Sequence, residues 1–198
     1  MRFIPASDQS LLVRDCDALG LFHWLQRNPL LGVTGMSPSR SAVLIRFDAR
    51  LLAHRTVEDW VASCSPDAGD RLTGRLVEVL TLYKGPDLAW VADQSGLSTS
   101  EVVDIHSGCE YVAWFLGFMP GFAYLGDVPE RIAVPRRSTP RSLVPPGSVG
   151  IGGSHTGIYP VACPGGWNLI GSTEVALFDR ASGKSLIEPG DRVQFIPL

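Results

Sequence analysis

Long apolar runs are missing from this sequence. None approaches the ~18 residues that a membrane helix needs, so no spanning helix is expected. An excess of basic residues is missing too: 17 Lys and Arg face 20 Asp and Glu, for a net charge of −3. That balance argues against a nucleic-acid-binding or anionic-membrane surface spread over the whole protein. Cysteine is sparse. Cys16, Cys64, Cys109 and Cys163 form no Cys-x-x-Cys pair, and MRFIPASDQSLLVRD lacks a basic-then-apolar leader, so free thiols in a cytoplasmic protein are expected. What the chain does have is an ordinary globular composition, 45% hydrophobic and 19% charged.

The sharpest local absence is of charge. Ser142 to Thr173 holds no Asp, Glu, Lys or Arg, yet carries eight glycines and four prolines in its 32 residues. Such a stretch is not a helix. Disorder is poor in aromatic and β-branched residues, whereas Val149, Ile151, Ile158, Tyr159, Val161 and Trp167 lie between these glycines. Short buried strands joined by tight turns are expected. Immediately before the stretch comes PRRSTPR (Pro135–Arg141), a stiff, arginine-rich loop.

The usual cofactor signatures fail. A phosphate loop ending at Gly183-Lys184-Ser185 needs glycine where Phe178 stands, and a dinucleotide fingerprint from Gly150 and Gly152 needs it at His155. A nucleophile elbow starting at Gly152 meets Thr156 instead of glycine. With no clustered Cys/His ligands and no calcium loop, no metal is expected in this chain.

Periodicity organises the rest. Strands are expected at 2–5 and 10–15, then a helix capped by Asp15 or Asp17 with Ala18, Leu21, Phe22 and Leu25 on one face. Strands near 31–36 and 42–47 follow, then a helix with Val57, Trp60, Val61 and Cys64 on one face behind a Thr56–Asp59 capping box, then a strand over 72–82. With the first two strands counted as one hairpin unit, the order β-α-β-β-α-β suggests a small ferredoxin-like α/β domain over residues 1–82. Two helices are expected next: one entered by Pro86 and ended by Gly96, and one with a Ser98–Glu101 capping box. The second domain, 83–198, begins with these helices and continues as short strands, with a buried strand at Tyr111–Leu116 and late strands at Glu174–Phe178 and Val193–Ile196. The class is α+β, with a barrel or sandwich as the second domain.

Candidate site residues follow from chemistry. Arg136, Arg137 and Arg141 can grip a carboxylate or phosphate bidentately. Phe122, Tyr124, Tyr159 and Trp167 can supply aromatic walls, and the glycines let the backbone come close to a ligand. His106, on the last turn of its helix, stands next to this stretch.

At these residues the sequence resembles the KipI/PxpB family. The resemblance is carried by YKGPDL (Tyr83–Leu88), His106, GFMPGFAYL (Gly117–Leu125), PRRSTPR, PPGSVGIGG (Pro145–Gly153), TGIYP (Thr156–Pro160), PGGWNLIG (Pro164–Gly171) and PGDRVQF (Pro189–Phe195). Members go by the B subunit of 5-oxoprolinase, allophanate hydrolase subunit 1 or carboxyltransferase-domain subunit. The resemblance implies a cyclophilin-like β-barrel after the small domain. It implies a cytoplasmic heteromeric complex, a heterodimer or heterotetramer with a KipA/PxpC-like subunit, joined by a LamB/YcsF-like subunit. The implied activity is ATP-dependent opening of 5-oxoproline to glutamate, with ATP shared with or bound by the partners. Alternatives within the family are inhibition of a sensor histidine kinase and one half of a urea-type carboxyltransferase. On the first reading the N–H groups of Gly165 and Gly166 stabilise an oxyanion, and His106 or His155 shuttles a proton. Three positions depart from the family's usual residues: His155 for Gln, Cys163 for Ser and Ser172 for Arg. The last removes a guanidinium from the expected pocket.

Overall fold

The computed structural model describes residues 1–65 and 74–198 and divides into two compact units, Met1–Thr73 and Gly74–Leu198. The first unit is built from two hairpins, each followed by a helix. They are β1 (Arg2–Ser7), β2 (Ser10–Arg14), α1 (Ala18–Arg27), β3 (Val33–Pro38), β4 (Ala42–Phe47) and α2 (His54–Ala62). Its antiparallel sheet has the order β1-β2-β4-β3. Leu11, Val13, Val43, Ile45 and Phe47 face Leu21, Phe22 and Leu25 of α1 and Val57 and Val61 of α2 in one core. Asp17 caps α1 as expected, accepting from the Gly20 amide. The capping box expected at Thr56 is not formed: the N-cap falls three residues earlier, at Ala53, α2 starts at His54, and no side chain caps it.

The strand expected to close this layer goes elsewhere. Its first residues, 72 and 73, lie outside the described residues; β5 (Leu76–Thr81) pairs in parallel with β15 (Arg192–Pro197) of the second unit. Inside the first sheet, β1 occupies the edge beside β2. The alternation of Leu76–Thr81 marks it as a strand, but only the far end of the chain supplies its partner. The units accordingly divide between Thr73 and Gly74, where the sequence reading divides at 82/83.

The second unit runs from β5 through α3 (Leu88–Ser95), α4 (Thr99–Ser107), β6 (Glu110–Leu116), β7 (Ala123–Gly126) and β8 (Arg141–Val144). It continues through β9 (Ser148–Gly152), β10 (His155–Ile158), β11 (Cys163–Gly165), β12 (Asn168–Ser172), β13 (Phe178–Asp179) and β14 (Lys184–Ser185) to β15. Seven strands share one sheet in the order β12-β9-β10-β7-β6-β15-β5. A bridge between Leu82 and Ser172, with N···O distances of 2.8 and 3.0 Å, joins its two ends and makes the sheet a nearly closed barrel. The closing segment continues along β12: the Gly85 amide donates to Ile170 O at 3.1 Å and the Asp87 amide to Leu169 O at 2.9 Å. A side chain at Gly85 has no room, since a Cβ there would lie 2.3 Å from Leu169 O. Val79, Tyr111, Leu125, Val149, Ile170 and Phe195 fill the core, joined by Val91 of α3 and Val102 of α4.

Two details differ from expectation. Tyr111–Leu116 is not buried on both faces; Tyr111 and Ala113 are buried and Val112 and Trp114 only partly so. Glu174–Leu177 is not a strand, and only Phe178 of that stretch pairs, in the short β13–β14 ribbon. The Ser98–Glu101 box at α4 is complete, with Ser98 Oγ accepting from the Glu101 amide and Glu101 Oε2 accepting from the Ser98 amide.

Because Ser98 caps a helix and Thr56 does not, Ser98→Ala lowers unfolding free energy by about 1 kcal/mol and Thr56→Ala by well under half of that. Urea unfolding of the two variants checks it.

Candidate functional site

A cavity of about 290 Å³ lies in the second unit. Phe118, Phe122, Tyr124, Tyr159 and Trp167 form its apolar walls. Phe122 is the hub, meeting Tyr124, Tyr159 and Trp167 edge-to-face with ring centroids 5.1, 5.3 and 5.3 Å away. Such pairs hold rings in fixed relative orientations. Glycine makes the walls fit. A Cβ on Gly152 would sit 2.6 Å from the Trp167 indole, and one on Gly165 would sit 2.6 Å from the Tyr159 hydroxyl oxygen. Burial raises the Tyr159 pKa, against the opposing effect of its hydrogen bond with the Trp167 amide, so it stays a neutral phenol at pH 7.

The polar side comes from PRRSTPR. Arg136 places its guanidinium carbon 5.8 Å from the Trp167 ring centroid, and it forms no ion pair among the described residues. Arg137 also lines the cavity, but its Nη1 donates to Asp87 Oδ1 at 3.1 Å. Arg141 donates to the same oxygen at 2.7 Å and does not line this cavity. The other carboxylate oxygen accepts from the Leu169 amide at 2.7 Å. Asp87 is 4% exposed. The Arg137 amide, meanwhile, donates to Gly166 O at 2.8 Å, fastening the loop to the PGGW turn.

The structure therefore brings Phe122, Tyr124, Tyr159, Trp167, Arg136, Arg137, Gly165 and Gly166 together. It does not bring the others. Arg141 serves the Asp87 clamp. Ser172, where the family's usual arginine is replaced, lines two other cavities, so the guanidinium missing there is not lost from the aromatic one. His155 is half-buried on β10, one ring removed from the cavity, with its centroid 5.8 Å from that of Tyr124.

His106 is fully buried in the barrel core and lines none of the walls. Thr156 Oγ1 donates to Gly150 O at 3.0 Å, so it accepts from His106 Nε2–H at 2.9 Å; Nδ1 then accepts from the Tyr83 hydroxyl at 2.7 Å. Both ring nitrogens are used internally. Burial pushes the pKa down to about 3. This is a neutral core histidine, not a group within reach of a ligand in the cavity, and the helix end that suggested a cation instead faces the barrel interior.

Asp87 is the residue the sequence reading passed over, although it sits in YKGPDL. The signal was available: an arginine-rich loop beside a charge-free stretch requires a carboxylate from elsewhere. No group of three or more His, Cys, Asp or Glu able to hold a metal occurs among the described residues, and none of their helices is long and apolar enough to cross a membrane.

A model for the carboxyltransferase domain, subdomains C and D, matches residues 2–187. The B subunit of 5-oxoprolinase from Escherichia coli O157:H7 is 57% identical over 127 residues, covering 62% of this chain and 58% of that protein. The protein of the same name from Bacillus subtilis strain 168 is 47% identical over 146 residues, covering 72% and 60%. The matched segment thus spans less than two thirds of either relative. Among solved structures, TTHA0988 superposes with a TM-score of 0.84 at 33% identity, covering 96% of this chain and 40% of that one.

Removing the carboxylate leaves two guanidiniums facing each other. Asp87→Ala is expected to cost about 2–3 kcal/mol, somewhat below a fully buried pair because both arginines reach solvent; chemical denaturation measures it. For His106 the sign is set by its depressed pKa. Between about 3 and 6.5 the unfolded chain binds a proton that the folded chain refuses, so its contribution is intact above 6.5 and is lost as pH falls. The loss approaches about 1.4 kcal/mol per pH unit. A His106→Gln variant lacks it, so the Tm gap between wild type and variant narrows from pH 7 to pH 4.

Proposed function

The chain belongs to the family of carboxyltransferase domains, subdomains C and D, and from that premise we propose that it acts as the B subunit of an ATP-dependent 5-oxoprolinase. The observation that carries the reading is the aromatic cavity with one disengaged guanidinium. 5-Oxoproline is a small flat ring with one carboxylate. Arg136 takes that carboxylate, and the faces of Phe122, Tyr124 and Trp167 pack the ring and keep water from it. The lactam oxygen is left towards Gly165 and Gly166, whose N–H groups polarise the carbonyl as water adds and the ring opens to glutamate. Relatives of that name at 46–57% identity support the assignment.

A nucleoside triphosphate does not fit this cavity. Its walls are apolar, and Arg136 is its one guanidinium outside the Asp87 clamp, which Arg137 shares with Arg141. On this reading ATP chemistry sits outside the cavity, with a KipA/PxpC-like and a LamB/YcsF-like subunit completing a cytoplasmic complex. The nearly closed seven-stranded sheet supports the reading of a cyclophilin-like barrel.

Co-expression with those partners and measurement of phosphate release from ATP tests the proposal. Release that depends on 5-oxoproline and on this chain is expected. Arg136→Gln is expected to raise the KM for 5-oxoproline about tenfold or more, the loss of one charge-assisted hydrogen bond. An assembled complex that shows no stimulation by 5-oxoproline sinks the reading and favours carboxyl transfer or kinase inhibition.

A further inference from the structure

A second cavity of about 510 Å³ shares no lining residue with the aromatic one. Lys84 and Arg141 line it, together with the hydroxyl residues Ser148, Ser172 and Thr173, and no Asp or Glu is among its walls. Its charge is not cancelled from behind. Asp87 carries one negative charge and is shared between Arg137 and Arg141, so that cluster keeps one positive charge; Lys84 adds a second and forms no ion pair among the described residues. Arg141 is held rigidly, Nη2 on Asp87 and backbone paired with Gly165, so its place in the wall is fixed. Thr173 Oγ1 already accepts from the Val175 amide at 3.3 Å, which leaves its O–H to donate. The wall is rich in donors and poor in acceptors.

We propose that this cavity binds a phosphoryl group, through Lys84, Arg141, Thr173 and Ser172. A phosphoryl group brings two charges and three or more acceptor oxygens, matching two cations flanked by hydroxyls, whereas a single carboxylate leaves one cation unmatched. The volume lies in the range of small-molecule sites, about 300–1,000 Å³, so it accommodates more than a bare phosphate. Free phosphate and the terminal phosphate of a nucleoside triphosphate share this chemistry. The inference stands on the geometry of this cavity and not on the oxoprolinase reading.

Isothermal titration calorimetry of inorganic phosphate, ATP and adenosine into the full 198-residue chain tests it. Phosphate and ATP are expected to bind and adenosine not. ATP binding tighter than phosphate marks a nucleotide as the source; equal affinities mark free phosphate. Ser172 is exposed, so Ser172→Asp sets a carboxylate at the cavity without disturbing the core, and Lys84→Gln removes one cation. Each is expected to weaken phosphate binding about tenfold or more. Arg136→Gln, in the other cavity, is expected to leave it unchanged. Absence of phosphate binding, wild-type affinity in both Ser172→Asp and Lys84→Gln, or loss in Arg136→Gln overturns the proposal. Since the readout is binding to this chain alone, a failed turnover assay does not bear on it.

Discussion

Asp87 accepts from Arg137, from Arg141 and from the Leu169 amide, and donates its own amide to Leu169 O. A carboxylate this far out of water is tolerable only when its charge is matched and its lone pairs are filled. That requirement reaches outward in two directions. It draws PRRSTPR against β12, which sets where Arg136 stands beside Trp167. It also anchors the segment Leu82–Asp87, whose backbone closes the barrel along the same strand. One residue therefore fixes both the loop that edges the aromatic cavity and the seam of the sheet that supports it.

The arginine-rich loop reads differently once its partners are known. Three guanidiniums of one sequence type have three situations: Arg136 faces the aromatic cavity unpaired, Arg137 lines it while bound to Asp87, and Arg141 lines the second cavity while bound to the same oxygen. The carboxylate thus sorts identical side chains into different tasks. Geometry, not residue type, separates them.

Much of this was legible in the sequence. The charge-free stretch between Arg141 and Glu174 did fold into short strands and turns, because its aromatic and β-branched residues needed burial and its glycines had to lie under Trp167 and Tyr159. Residue type pointed to Phe122, Tyr124, Tyr159, Trp167 and Arg136, which the structure gathers around one cavity, but not to Phe118, which also lines it. Local caps were legible where both halves are local, as at Ser98 and Glu101, and misleading at Thr56, where tertiary packing starts the helix earlier. What could not be read was pairing over distance. Leu76–Thr81 announces a strand but not that Arg192–Pro197 is its neighbour. His106 announces a helix end, but only the fold reveals that the end is turned inward onto Phe195, with ring centroids 4.6 Å apart.

The seam at Leu82 and Ser172 joins segments about ninety positions apart in the chain. Closing so long a loop costs chain entropy, which the strands between and the contacts around Asp87 must offset. Asp87, at the end of that seam, is completed only with it. Without the seam, both cavities lose the clamp that holds Arg137 and Arg141. Opening of the seam therefore reaches both cavities at once.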